Sequence, residues 1–365
     1  MKCRIGQAVR WSASATILLW SAAIAVSGET GLVTMAVPGG GHPMLAKSDS
    51  EGTIHLLYHS SHGPQYVASR DNGKSFSAPI DVVNQKSQQP GLEFDAWDMA
   101  VGPAGRVHVA LGTNAWKLKL PKEEWGYFYA RLDSKAAAFT PVRNITHQPG
   151  EGFSLAVSDS GRVTACWLAD KLFANVSEDH GETFSHTVEI DPVLNPCNCC
   201  TTSAVYGADG RLAILYREET DNERDMYLVL WDQKTNKSSR TRVSTTPWKI
   251  DACPMSYYTV TRTGNGFVAA WPTKGQVYFA RLDSAGSLQF PAEVRTPGTT
   301  GTRTGIISLT AANGITLVAW KNNKKLGWQQ YDQEGRPVGS ADSAASDGKG
   351  VAGVVTRDGR FLLFL

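Results

Sequence analysis

Ser69-Arg70-Asp71-Asn72-Gly73-Lys74-Ser75-Phe76 and Ser177-Glu178-Asp179-His180-Gly181-Glu182-Thr183-Phe184 share one pattern, Ser-x-Asp-x-Gly-x-(Ser/Thr)-Phe. Each fixed position has a physical task. The aspartate accepts backbone hydrogen bonds across a turn, the glycine takes a left-handed conformation, and the phenylalanine plugs between sheets. Around these turns runs a longer rhythm of apolar strand, tight polar-glycine turn and second apolar strand. It occupies Met44–Tyr58, Met99–Leu111, Phe153–Leu168, Ser203–Tyr216, Met255–Trp271, Gly305–Trp320 and Val351–Leu365. The turns include Asp159-Ser160-Gly161, Ala208-Asp209-Gly210, Asn313-Gly314 and Asp358-Gly359, which accept the positive φ of hairpin turns. Alternation such as Arg106-Val107-His108-Val109-Ala110-Leu111 is the period-two signature of strands.

Seven such hairpins, with a second pair of strands between successive ones, predict an all-β, seven-bladed β-propeller with almost no helix. The last hairpin reaches the C-terminus without outer strands. The segment 31–37 is expected to add a strand to it, so that N- and C-terminal strands close the ring and remove a free edge. No composition shift divides the chain, so 29–365 reads as a single domain.

The two Asp turns resemble those of the Asp-box, or BNR-repeat, β-propellers typified by sialidases. That resemblance implies the same fold over the whole mature chain; six blades, the sialidase number, is its alternative. It also implies action on glycans. Sialidases hold a sugar carboxylate with three arginines and use a Tyr–Glu nucleophile pair with an aspartic acid. Arg217 and Arg303 are the candidate arginines here, Tyr257 (or Tyr258) the candidate nucleophile, and Asp98, Asp251, Glu151, Glu218 and Glu219 the candidate acids or bases. The first sialidase arginine has no counterpart, since its place reads Gly41-His42-Pro43-Met44. A second pattern, Cys197, Cys199, Cys200, Tyr216, Arg217, Arg224, Asp225, Asp251, Cys253 and Pro254, is similar to that of a group of exported bacterial propellers labelled sialidase-like from their repeats.

Residues 1–28 read as a secretory signal: Lys2, Arg4 and Arg10 precede the apolar run 15–26, and Ala25, Ser27 and Gly28 offer a cleavage point. The expected product is exported (periplasmic or secreted), without a membrane span, and monomeric. A formal charge of +2 with no basic stripe excludes nucleic acid as a partner. The expected partner is a carbohydrate or another small-molecule ligand.

In a propeller, the segments leading into each innermost strand gather around the central opening of one face. Here they carry His42-Pro43-Met44, Asp95-Ala96-Trp97-Asp98-Met99, Glu151, Cys197-Asn198-Cys199-Cys200, Asp251-Ala252-Cys253-Pro254-Met255 and Arg303, with His59 and His62 from bordering loops. Export favours disulfides among the four clustered cysteines, which allow three pairings, and a bridge to Cys253 would staple adjacent blades. The alternative is a soft-metal site: Cys197, Cys199, Cys200 and Cys253 with Met255, Met44 and His42 suit copper(I). Cys166 reads as a buried free thiol in a strand. Three functions stay open from the sequence: glycan binding or hydrolysis, copper or redox chemistry, and partner binding without catalysis.

Overall fold

A computed structural model describes residues 25–26, 31–84, 89–289 and 291–365. Its strands form seven four-stranded sheets. The innermost strands are His42–Ser48, Phe94–Val101, Glu151–Val157, Ser203–Tyr206, Thr259–Thr263, Ile306–Thr310 and Ala352–Val355, numbered here as blades 1 to 7. Blade 7 is completed by the N-terminal segment: Leu32–Met35 pairs parallel with Phe361–Phe364, and Ala25–Val26 pairs antiparallel outside it. Ala25–Val26 falls inside the segment read as a leader, the rest of which lies outside the described residues. Among the described residues helix is confined to two 3-10 turns, Pro103–Gly105 and Lys122–Glu124, and no helix is long and apolar enough to cross a membrane.

The core is not one mass but a series of wedges, one between each pair of neighbouring blades. The second strand of blade 5, Gly266–Thr273, shows how the sequence builds them. Phe267, Ala269 and Trp271 pack against blade 4, while Val268 and Ala270 pack against blade 6. Strand pleating sends alternate side chains to opposite faces, and here both faces meet a neighbouring sheet. Burying each large apolar side chain contributes roughly 1.5–3 kcal/mol, so every blade is stabilised mainly by its neighbours.

The two Asp turns are alike atom for atom. Asp71 Oδ1 accepts from the Ser75 amide at 2.9 Å and Asp179 Oδ1 from the Thr183 amide at 2.9 Å; Ser69 and Ser177 Oγ accept from the Gly73 and Gly181 amides. Asn72-Gly73 and His180-Gly181 are left-handed in succession, so the residue before each glycine shares its conformation. Phe76 meets Phe364 of blade 7, and Phe184 meets Tyr129 of blade 2, each reaching the preceding blade. Ser69 pairs with Ile54, which pairs with Ser48 at the far end of the innermost strand. The turns therefore sit on the face opposite the lead-in segments.

Candidate functional site

The seven innermost strands run in the same sense around the axis, so their first residues surround one opening. Neighbouring lead-ins are stitched by backbone hydrogen bonds: Thr202 N to Gly152 O at 3.0 Å, Arg303 N to Met255 O at 2.9 Å, and Gly305 N to Lys349 O at 2.8 Å. Arg303 and Met255, which share one of these bonds, both have left-handed backbone, with φ of 55° and 44°. For residues with a Cβ this conformation costs energy, and it persists only where the surroundings impose it.

Side chains from five blades interact across this opening. His59 Nδ1 of blade 1 lies 3.9 Å from Asp95 Oδ1 of blade 2. Asp95 itself is exposed, with its carboxylate open to solvent at the rim. Glu151 of blade 3 is also exposed and lies in the field of the exposed Arg303 guanidinium on blade 6. Tyr257 of blade 5 is raised by burial and by the charges of Asp95 and Glu151, with Arg303 again opposing. His59 thus faces Asp95, while Tyr257 lies in the fields of Asp95, Glu151 and Arg303; together they form a set able to hydrogen-bond hydroxyls and to pair with an anion.

Beside the opening lies a sulfur cluster. Cys199 of the blade 4 lead-in is bonded to Cys253 of the blade 5 lead-in, so the blade-to-blade bridge expected from sequence is present. Cys197 and Cys200 are buried free thiols. A tight turn holds them, with Cys200 N donating to Cys197 O at 3.1 Å and Cys197 N to Arg217 O at 2.8 Å. Cys197 Sγ is 3.7 Å from Cys199 Sγ and 3.5 Å from Cys200 Sγ. Arg224 Nη1 donates to Cys197 Sγ at 3.0 Å. The two free thiols are joined by a hydrogen bond. That hydrogen bond, then the charge of Arg217, pulls Cys200 down to about 6 against its burial, while the same hydrogen bond and burial push Cys197 up.

Arg224 reaches the sulfur because blade 4 carries a hairpin extension. Glu218 N bonds Asp225 O, and Asp221-Asn222, both left-handed, make the turn. Asp-Asn between paired strands suits a type I′ turn, the one sequence signal for this extension.

The other residues singled out from sequence are dispersed. Arg217 is fully buried: Nη1 donates to Arg224 O at 2.5 Å, Nη2 to Pro272 O at 2.7 Å, and the guanidinium lies 4.9 Å from the Trp248 ring. It clamps blade 4 to blade 5 and does not reach the opening. Glu218 is buried between Tyr216 and Arg240. Asp98 is half-buried and accepts from the amides of Met99 and, across to blade 3, Leu155. Asp251 is exposed. Tyr258 is buried and donates to Thr201 O. Met44 packs in the wedge between blades 1 and 2. His42 is exposed at the start of blade 1, paired with His59. Cys166 is buried and free. Among the described residues, the metal-capable group brought together by the fold is Cys197, Cys199 and Cys253.

No protein-family model matches the sequence, and no curated protein does. Among solved structures, the chain is similar to a functionally unknown protein from Desulfotomaculum acetoxidans DSM 771, with 11% identity, a TM-score of 0.54, and coverage of 88% of this chain and 95% of that one. It is similar to the Dos1 propeller, with 11% identity, a TM-score of 0.52, and coverage of 94% and 80%. A protein from Lactobacillus plantarum gives 12% identity, a TM-score of 0.51, and coverage of 90% and 91%. At these identities the likeness is one of fold.

Proposed function

We propose that the chain is an exported propeller that binds a saccharide in its central opening. The observation that carries this is the convergence of His59, Asp95, Glu151, Tyr257 and Arg303, from blades 1, 2, 3, 5 and 6, on one rim. Carboxylates accept hydroxyl protons, a phenol offers both a ring face and a hydroxyl, and a guanidinium holds an acidic substituent in bidentate fashion. Of the two arginines assigned to an acidic sugar from sequence, Arg303 keeps that role and Arg217 becomes structural. Asp95 and Glu151 are the carboxyls of this rim that could exchange a proton with a leaving oxygen. The Cys199–Cys253 bridge favours an oxidising compartment and so supports export.

The test is calorimetric titration of the purified chain with a panel of neutral and acidic oligosaccharides. Binding by at least one class is expected. For an acidic ligand Arg303→Lys should weaken binding by about tenfold, near 1.4 kcal/mol, because charge is kept and the fork is lost. Absence of binding across both classes, or binding indifferent to both Arg303→Lys and Glu151→Gln, removes the proposal.

A further inference from the structure

The sulfur cluster gathers groups that a saccharide site does not require. Cys197, Cys199 and Cys253 place their sulfurs within 4.8 Å of one another. Thiolates sharing one metal at M–S distances of about 2.3 Å stand roughly 3.8–4 Å apart, and Cys197 Sγ already stands 3.7 Å from Cys199 Sγ. Cys200 approaches Cys197 alone at 3.5 Å and turns its other side to Ser256 Oγ at 3.9 Å; it falls outside the mutually close group. The set is therefore three sulfurs, drawn from two blades, with a guanidinium on one of them.

Thiol–disulfide exchange competes for the same atoms, and the geometry decides against it. In-line attack of Cys197 on Cys199 would put Cys197 Sγ about 5.7 Å from Cys253 Sγ, a 3.7 Å approach plus an S–S bond of about 2.05 Å. The three sulfurs instead lie within 4.8 Å of one another. Cys197 sits beside the bridge, where it closes a triangle, and not behind it, where it would displace a sulfur.

We propose that this triangle is a redox-gated copper(I) site, closed while Cys199–Cys253 is bonded and open once it is reduced. Soft thiolates without carboxylate or imidazole select copper(I), and three of them suit trigonal coordination, whereas a structural zinc site takes four protein ligands. The steps balance. A dithiol reductant gives two electrons and two protons to the bridge, yielding two thiols, and is itself oxidised to a disulfide. One copper(I) ion then displaces three protons from Cys197, Cys199 and Cys253 and leaves a trithiolate complex of charge −2. Arg224, 3.0 Å from Cys197 Sγ, offsets part of that charge. The Cα atoms of Cys199 and Cys253 are 6.4 Å apart and both residues are half-buried on irregular lead-ins; side-chain rotation suffices to part their sulfurs.

The experiment uses the full chain, oxidised or reduced with a dithiol that is then removed anaerobically, and copper(I) as the probe. Retained copper is measured after gel filtration, affinity by competition with a chromogenic copper(I) chelator, and coordination by X-ray absorption. The reduced chain should keep one equivalent in an all-sulfur, three-coordinate shell, and the oxidised chain none. Cys197→Ser leaves the bridge intact for folding; it should lose more affinity than the roughly 10–100-fold that an outer-shell change costs, while Cys200→Ser and Cys166→Ser keep the metal. Equal retention by oxidised and reduced chains, no retention by either, or loss in Cys200→Ser as large as in Cys197→Ser overturns the proposal. So does tighter binding of zinc than of copper(I) by the reduced chain. None of these outcomes depends on the side chains assigned to the saccharide.

Discussion

Arg217 offers the sharpest separation of architecture from recognition. Its guanidinium serves two backbone carbonyls, Arg224 O and Pro272 O, and stacks near Trp248 and Tyr258. Replacement by lysine keeps the charge but substitutes one compact ammonium for a planar fork, so one carbonyl loses its donor in a site without solvent access. An orphaned buried acceptor costs about 1–3 kcal/mol, and weaker stacking adds up to about 1 kcal/mol. Arg217→Lys should therefore destabilise by about 1–4 kcal/mol, a sizeable part of the roughly 5–15 kcal/mol that holds a domain folded. Alanine is the less informative variant, because removing a buried charge also relieves its desolvation. Urea titration followed by tryptophan fluorescence reads the change as a shift in midpoint at constant slope. An unchanged midpoint refutes the clamp. Intact stability with saccharide binding abolished would place the guanidinium in the opening after all.

Breaking the bridge by Cys253→Ser should cost about 4 kcal/mol, the loop-closure value for its 54-residue separation, read by the same titration; an unchanged midpoint in the absence of metal argues against a structural role. Acid should destabilise the fold through His108, which burial, then the nearby Arg106 and Arg131 charges, lowers from 6.5 to about 3 and which is hydrogen-bonded to Tyr129. The unfolded chain takes up that proton below pH 6.5 and the native state refuses it until about pH 3, so stability is full above 6.5 and falls by about 2 kcal/mol by pH 5. His55 shifts in the same direction. His108→Gln should flatten the stability-against-pH curve over this interval, and an unchanged curve would exclude the histidine as its source.

The ring was legible because its signals are local. A hairpin turn, a period-two strand and an Asp turn are each set within about ten residues, and seven repeats of one register place all lead-ins on one face. The Cys199–Cys253 pairing was legible as a class, since two cysteine segments lead into adjacent blades, although sequence left three pairings open. Contacts across the opening were not. Glu151 meets the field of Arg303, and Tyr257 that of Asp95, only after the ring closes, and no spacing rule links residues so far apart. Arg217 misled for a related reason. It follows an apolar strand, where a loop residue would border the opening, but the hairpin extension continues blade 4 through Met226 and buries it. His55–Tyr66 and His108–Tyr129 repeat the same pair in blades 1 and 2 at 2.7 and 2.6 Å; neither was visible as a pair because each histidine sits in an ordinary alternating strand.

The placement of the sulfurs follows from the same accounting. Residues 190–202 and 243–258 are the longest stretches without a named strand between one blade and the next among the described residues. Each lacks a continuous ladder to hold it, so its polar backbone depends on scattered partners such as Arg224 with Ile250 O and Trp248 O. A covalent link from Cys199 to Cys253 joins the two stretches where the ladder cannot. A copper(I) ion held by Cys197, Cys199 and Cys253 would join the same two stretches through three bonds in place of one. Reduction alone leaves the two lead-ins joined only by weaker contacts such as Tyr258 to Thr201 O, whereas reduction followed by metal uptake restores a strong tie. On this account the reduced, metal-free chain is the least stable of the three states, and the copper-loaded chain regains the midpoint that the bridge confers.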